Sequence, residues 1–549
     1  MKITLAQLNY HISHFNNNSQ KIIDTIIHAK ENQSDLVVFS ELSICGYPPY
    51  DFLERKEFVE SSLNSINNIA KHCIGIAAIV GGPSINPESK GKNLFNTAFF
   101  LNDGKIEATV YKSLLPNYDV FDEYRYFQPN TSFKLVQYKG KKLAITICED
   151  LWDQQPVANA FAKGKLYTLS PMKNLAKLQP DLVINIAASP FSHKQVDIRE
   201  SIIIDKAKNF KLPFIYVNQI GANTELIFDG NSKVVNSKGQ VIKRIQPFKE
   251  GVEIIDTEEI ESLPEMPKWE SSSIELIHDA LILGIRDYFA KMGFKGATLG
   301  LSGGIDSAVT AVIAVRALGK ENVRVLLLPS QYSSDHSVSD AEILAQNLNI
   351  KYQTIPIKDI YQQFDQDLAP LFEGRPYDIT EENLQARIRG TILMALSNKF
   401  GNLLLNTTNK SEAAVGYGTL YGDMNGSIAV LGDVYKSDVY RLARFINKKT
   451  EIIPENSIVK PPSAELRPDQ KDTDSLPDYD TLDAILFRYI ELYHSPQEII
   501  NDGFDEQTVL KTVRLVNMNE YKRFQAAPIL RVTSKAFGFG RRMPLVAKY

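Results

Sequence analysis

Three side chains of different chemistry each close a strand-like run in the first half of this chain. Glu41 ends "LVVFSE", Lys112 ends "ATVYK" and Cys148 ends "LAITIC". A cysteine nucleophile needs its proton removed, and a carboxylate within hydrogen-bond reach can take it. A lysine close by favours the thiolate and stabilises the oxyanion of a tetrahedral intermediate. With Glu41 as base, Lys112 as oxyanion support and Cys148 as nucleophile, the trio could attack a carboxamide without a histidine. Taken singly, each has a plain structural reading: an inert core thiol, a carboxylate at a helix start, a solvated lysine.

A second stretch, "GLSGGIDSAV" (Gly300 to Val309), is built to hold phosphate. Gly303 and Gly304 let the backbone turn sharply, so that successive N–H groups face phosphate oxygens. The helix that follows adds the positive end of its dipole. Ser302 and Ser307 supply hydroxyls, and Asp306 could hold a Mg²⁺ shared with the phosphates. The mononucleotide loop GxxxxGK[ST] has a lysine after its last glycine. None stands here, so the phosphates are held for other chemistry.

These residues need elements to position them. In the first part of the chain strands alternate with helices: "MKITLAQL", a polar helical stretch from Asn17 to Asn32, "SDLVVFSE", then "EATVYK", "KLAITICED", "DLVINIAAS" and "LPFIYVNQ". "FDGNSKVV" and "NSKGQVI" signal antiparallel hairpin pairing near the edge of this half. Residues 251–270 are acidic, proline-punctuated and aperiodic, which predicts a linker between domains 1–250 and 271–549. Beyond it a helix starts after "ESSS". The alternation of "GATLGLS", "SAVTAVIAVRAL", "VRVLLLP" and "NLLLNTT" predicts a doubly wound, mostly parallel sheet. The polar, proline-rich run 461–480 is long for a loop inside a domain, as a lid would be.

The SGGxDS loop resembles that of the N-type ATP pyrophosphatases, which cleave ATP between its α and β phosphates. "ENLQARIRG", "SQYSSDHSVSDA" and "NLLLNTTNKSEAAVGYGTLYGDMNGSIAVLGDVYKSDVYRLARF" are similar to NAD⁺ synthetases. That resemblance implies an ATP site at Gly300, Leu301, Ser302, Gly303, Gly304, Ile305, Asp306, Ser307, Thr407 and Lys436. It implies deamido-NAD⁺ contacts at Asn383, Glu412 and Lys522, and Mg²⁺ between Asp306 and Glu412. Leu420 stands where the ammonia-only branch carries a substrate-binding lysine. In the first half, "SELSICGYPPYD", "VYKSLLPNYDVFDEYRYF" and "ICEDLW" resemble the nitrilase superfamily, in the branch fused to NAD⁺ synthetases as a glutaminase. An α-β-β-α sandwich is implied, with Tyr118, Ser189 and Lys194 contacting glutamine.

The two resemblances complete one reaction. Ammonia released from glutamine would displace AMP from an adenylated nicotinate carboxylate. At neutral pH free ammonia is mostly ammonium, so a passage protected from solvent is expected. Two other readings remain open: a glutamine-dependent ATP pyrophosphatase acting on another carboxylate or a purine nucleotide, and a non-catalytic nucleotide sensor.

The rest of the sequence narrows the setting. The 549 residues carry a formal net charge of -4 and no long basic block, which argues against nucleic acid as a partner. No apolar run reaches membrane-spanning length, and the start lacks signal-peptide architecture. The three cysteines are too few and too uneven for a disulfide framework, so a reducing, cytoplasmic setting is expected. A homo-oligomer is implied by the resemblance alone.

Overall fold

The computed structural model describes residues 1–155, 164–468 and 470–548. It divides into two compact units, Met1–Glu270 and Ser271–Tyr549. Among the described residues no helix is long and apolar enough to cross a membrane.

The first unit is built on two six-stranded sheets. One runs in the order β14 (Gly251–Asp256), β1 (Lys2–Gln7), β2 (Leu36–Val38), β3 (Ala77–Ile85), β4 (Leu94–Asn102), β5 (Lys105–Tyr111). The other runs β13 (Val241–Arg244), β12 (Lys233–Val235), β9 (Phe214–Asn218), β8 (Leu182–Ala187), β7 (Lys141–Ile147), β6 (Val136–Tyr138). A small ladder joins β10 (Ile220–Asn223) and β11 (Leu226–Asp229).

Period-two alternation explains why these strands are apolar on both faces. Ile3, Leu5, Leu36, Val38, Ala77 and Ile79 share one core with residues of β7, β8 and β9, which places that core between the sheets. Their sequence neighbours Ala6, Val37, Ala78 and Val80 belong to a second core with the helices Phe15–Glu31 and Lys56–Ala70. On the second sheet, Ile203 and Ala207 of the helix Gln195–Phe210 pack into the inter-sheet cluster's extension. Helix, sheet, sheet and helix thus form four layers.

One expectation is corrected here. Gly251–Asp256 was expected to lie in the linker, but it pairs antiparallel with Lys2–Gln7 along its whole length. "GVEIID" alternates weakly because it is an edge strand, half-exposed on most of its length.

The second unit holds a five-stranded, wholly parallel sheet. Its order is β17 (Lys351–Thr354), β16 (Val323–Leu327), β15 (Ala297–Gly300), β18 (Leu403–Asn406), β19 (Ile428–Ala429). The connections step outward from β15 in opposite directions, first to β16 and later to β18. A doubly wound sheet opens a crevice at the carboxyl ends of its strands where that reversal occurs. The glycine loop leaves β15 at that point.

Candidate active sites

In the first unit the chain folds so that Glu41, Lys112 and Cys148 follow β2, β5 and β7, and all three are buried. Lys112 Nζ donates to Glu41 Oε1 at 2.6 Å. The same carboxylate accepts from Asn96 Nδ2 at 2.7 Å and, through Oε2, from the backbone N–H of Ala188 at 3.0 Å. Cys148 opens a short 3-10 turn, Cys148–Leu151, with a left-handed φ of 41°. A non-glycine residue is held there only by its surroundings. Asp150 provides that hold, its Oδ2 accepting from Ile147 N at 3.0 Å and its Oδ1 from Ser113 N and Leu114 N, both at 2.9 Å. One carboxylate therefore ties the nucleophile's turn to the residues just after Lys112.

Electrostatics define what this trio can do. Burial, reinforced by the charge of Glu41, pushes the Cys148 thiol well above the ordinary cysteine range, and Lys112 only partly opposes this. The resting nucleophile is a thiol, so a base must act at the moment of attack. Burial also works against the Lys112 ammonium, but Glu123 and Glu41 outweigh it and hold the lysine charged.

Several residues the sequence did not single out complete the site. Glu123 grips Lys112 Nζ with both oxygens at 2.8 Å and accepts from Tyr47 Oη at 2.9 Å. Burial pushes its carboxyl up to about 7. Glu149, beside the nucleophile, accepts at 2.9 Å from both Tyr118 and Tyr167. Burial pushes Glu149 to about 7 as well. Among the expected glutamine contacts, Tyr118 therefore reaches the site. Ser189 is buried one residue past the Glu41-bound Ala188, its N–H on Asn218 Oδ1 at 2.8 Å. Lys194 lies at the N-terminal cap of the helix Gln195–Phe210, five residues further on.

In the second unit the glycine loop opens the helix Ile305–Leu318. Gly303 has φ +79°, and a Cβ there would stand 2.1 Å from the carbonyl oxygen of Ser337. Only glycine lets the loop lie so close to that neighbouring backbone. Ser302 Oγ accepts from Gly304 N at 3.2 Å, and Ser307 Oγ donates to the Gly304 carbonyl at 3.0 Å, which pins the turn.

Above the loop, Lys436 is bonded to Asp306 and lies 3.2 Å from Glu412. Asn409 Nδ2 donates to the other oxygen of Asp306 at 2.8 Å. Burial pushes Glu412 up to about 8, with Lys436 opposing and Asp306 adding to the rise. A cavity of about 320 Å³ is lined by the whole expected loop apart from Gly303, and by Thr407, Glu412 and Lys436. Asn383 and Lys522 lie outside that lining. Asn383 Oδ1 accepts from Thr419 Oγ1 at 2.6 Å, and Lys522 Nζ donates to the carbonyls of Gly416 and Gly418 at 2.7 and 2.8 Å. Both thus brace the segment 416–419. Among the described residues no group of three or more His, Cys, Asp or Glu forms a ready-made metal site.

The proline-rich run expected as a lid lies against this cavity, with Pro461, Glu465 and Asp472 in its wall. Glu465 accepts from Ser334 Oγ at 3.0 Å and Ser337 Oγ at 2.6 Å, at the start of the helix Asp335–Asn347. Asp472 accepts from Tyr417 and Tyr479 at 3.0 and 2.8 Å.

Comparison with known proteins matches each unit to a family. The family model described as carbon-nitrogen hydrolase matches residues 2–264, and that described as NAD synthase matches residues 277–526. The chain is 48% identical to a glutamine-dependent NAD⁺ synthetase of Synechocystis sp., covering 100% of this chain and 99% of the relative. The chain belongs to the glutamine-dependent NAD⁺ synthetase family. A second member, from Thermotoga maritima, is 40% identical over 100% of this chain and 99% of its own. Among solved structures, the glutamine-dependent NAD⁺ synthetase of Acinetobacter baumannii in complex with ADP is 40% identical. It matches with a TM-score of 0.78 over 99% of this chain and 98% of that one. The family comprises nucleotide-binding ligases, which suits the loop at Gly300–Ser307.

Proposed function

We propose that this chain amidates deamido-NAD⁺ to NAD⁺, with glutamine as nitrogen donor and ATP as the source of activation. The observation that carries the reading is the presence, in one family member, of a buried Glu41–Lys112–Cys148 site and a separate phosphate-loop cavity.

In the first unit Glu41 takes the thiol proton as Cys148 Sγ attacks the side-chain carbonyl of glutamine. Lys112 stabilises the developing oxyanion. Collapse of the tetrahedral species breaks the C–N bond, and the departing nitrogen leaves as ammonia with the proton Glu41 held. Water, deprotonated by Glu41, then cleaves the thioester to glutamate and the free thiol. Tyr118, Ser189 and Lys194 are assigned to binding glutamine.

In the second unit the nicotinate carboxylate attacks the α phosphorus of ATP and pyrophosphate leaves. Ammonia then attacks the acyl carbon and AMP departs, giving the amide. The loop Gly300–Ser307 and Thr407 are assigned to ATP, Asn383, Glu412 and Lys522 to deamido-NAD⁺. Lys436 neutralises charge that grows on the leaving pyrophosphate. Asp306 and Glu412 suit Mg²⁺, which is commonly held by one or two carboxylates together with substrate phosphates. Bound there, the ion would screen phosphate charge. The same reading places the enzyme in the cytoplasm as a homo-oligomer; its three cysteines are all free thiols.

The deciding experiment measures NAD⁺ formed from deamido-NAD⁺ and Mg-ATP, with glutamine or ammonium, in wild type and Cys148→Ala. Wild type is expected to use both donors and the variant ammonium alone. A variant that still uses glutamine would remove Cys148 as nucleophile. Wild type that makes NAD⁺ from neither donor would overturn the reading.

A further inference from the structure

The cavity of the second unit contains a cation that the protein itself leaves without a counter-ion. The helix Ile379–Phe400 presents Ala386, Arg389, Gly390 and Leu393 to the cavity. Their i, i+3, i+4, i+7 spacing puts them on one face. Three of the four are small or apolar. Arg389 is the exception, a single charge on an otherwise uncharged stripe, in a cavity wall that also includes Leu326, Leu327 and Leu328.

Arg389 Nε donates to the carbonyl oxygen of Leu328 at 2.9 Å, which fixes the guanidinium plane. Among the described residues that is its sole hydrogen bond, and it forms no ion pair. The contrast with Lys436 is sharp, because Asp306 and Glu412 already satisfy that ammonium. Asp423 and Glu465 act on Arg389 only at a distance, and both are engaged elsewhere. Asp423 accepts from Thr419 N at 2.5 Å, and Glu465 from Ser334 and Ser337. Burial accordingly lowers the guanidinium to about 10, against weaker support from Asp423 and Glu465.

Holding a half-buried cation without a partner costs free energy, and such a cost persists where a ligand supplies the missing charge. A guanidinium fixed through Nε keeps both Nη groups free to grip two oxygens of one phosphate. We propose that Arg389 is the anion receptor of this cavity, pairing with a phosphate of ATP or of deamido-NAD⁺. The proposal rests on the synthetase reading above and adds a binding residue to it. On the sequence, Arg389 sits six residues after Asn383 within "ENLQARIRG".

The test uses the full chain with Arg389→Met and Arg389→Lys. Calorimetric titration with ATP and, separately, with deamido-NAD⁺ is run at low and high salt, beside thermal melting without ligand. The methionine variant is expected to bind one of the two nucleotides at least about tenfold more weakly, with a shallower salt dependence than wild type. The lysine variant should fall between them. The ligand-free melting temperature should not drop, since an unpaired charge has been removed. Loss confined to ATP assigns its phosphate, and loss confined to deamido-NAD⁺ assigns the dinucleotide. If the methionine variant binds both within twofold of wild type, Arg389 is no receptor, while wild-type NAD⁺ synthesis would leave the functional reading intact. A lower ligand-free melting temperature with weakening of both nucleotides would make Arg389 a structural residue and overturn the proposal. Wild type that binds neither nucleotide would sink the synthetase reading, and this inference with it.

Discussion

Lys112 Nζ lies 2.8 Å from both carboxylate oxygens of Glu123, on a residue eleven positions further along the chain. With Glu41 at 2.6 Å, the ammonium is shared between two buried carboxylates. The division of labour follows from the partners. Asn96 Nδ2 donates to both, at 2.7 Å to Glu41 and 3.4 Å to Glu123; beyond it Glu41 accepts from the backbone of Ala188, whereas Glu123 is fastened by Tyr47.

Glu123→Gln is therefore expected to lower glutamine-dependent NAD⁺ formation by about 10²–10⁴-fold, the range for losing one positioned charge in such a site. Ammonium-dependent formation should stay within about twofold of wild type, because the second unit keeps all its residues. Parallel initial-rate assays with the two donors check this. Equal loss with both donors would show that Glu123 supports the fold and not the glutaminase chemistry.

Glu149 gives a pH dependence with a definite sign. Burial raises its carboxyl from 4.5 to about 7, so its contribution to stability is fully present below pH 4.5 and is lost as pH rises through 7. The upper bound on that loss is about 3 kcal/mol. Glu149→Gln removes the titration, so the variant should gain on wild type between pH 5 and pH 8. Urea denaturation followed by Trp152 fluorescence, in a Trp269→Phe background, reads the difference. A gap between the two proteins that stays constant across that range would contradict the assignment.

Gly303→Ala tests the loop. The alanine would need φ +79° and would drive its Cβ to 2.1 Å from Ser337 O, so the loop must move. The left-handed conformation alone costs about 1 kcal/mol, and displacement of the loop adds to it. ATP affinity is expected to fall at least about tenfold. Glutamine binding to the first unit should persist. Titration with each ligand separates these outcomes, and wild-type ATP affinity in the variant would mean the loop does not cradle phosphate.

Much of this was readable along the chain because the signals are local. Strand, glycine turn and helix follow one another at Ala297–Leu318, and Glu41, Lys112 and Cys148 each sit where an apolar run stops. What stayed hidden depends on contacts between distant segments. Glu123 looks like one of two adjacent acids in "VFDEYRYF", and its role appears only when the one-turn helix Glu123–Tyr126 folds back on Lys112. Glu465 lies in a run whose composition reads only as loop, yet its carboxylate meets serines about 130 residues earlier in the chain. Arg389 falls on a helix whose apolar pattern is weak, so no periodicity marks its face. Gly251–Asp256 resembles a linker in sequence for the same reason, since its partner strand is Lys2–Gln7.

That last pairing bears on how the protein is made. Antiparallel hydrogen bonding between Lys2–Gln7 and Gly251–Asp256 means the sheet cannot be finished until nearly half of the polypeptide has been synthesised. Until then one side of Lys2–Gln7 is an open template for strands of other nascent chains, and loop closure over that distance is slow. A ribosome stalled shortly before Gly251 would release a unit containing Glu41, Lys112 and Cys148 with an unsealed sheet margin. Truncations ending there should collect as aggregates, whereas those reaching past Asp256 should stay dispersed.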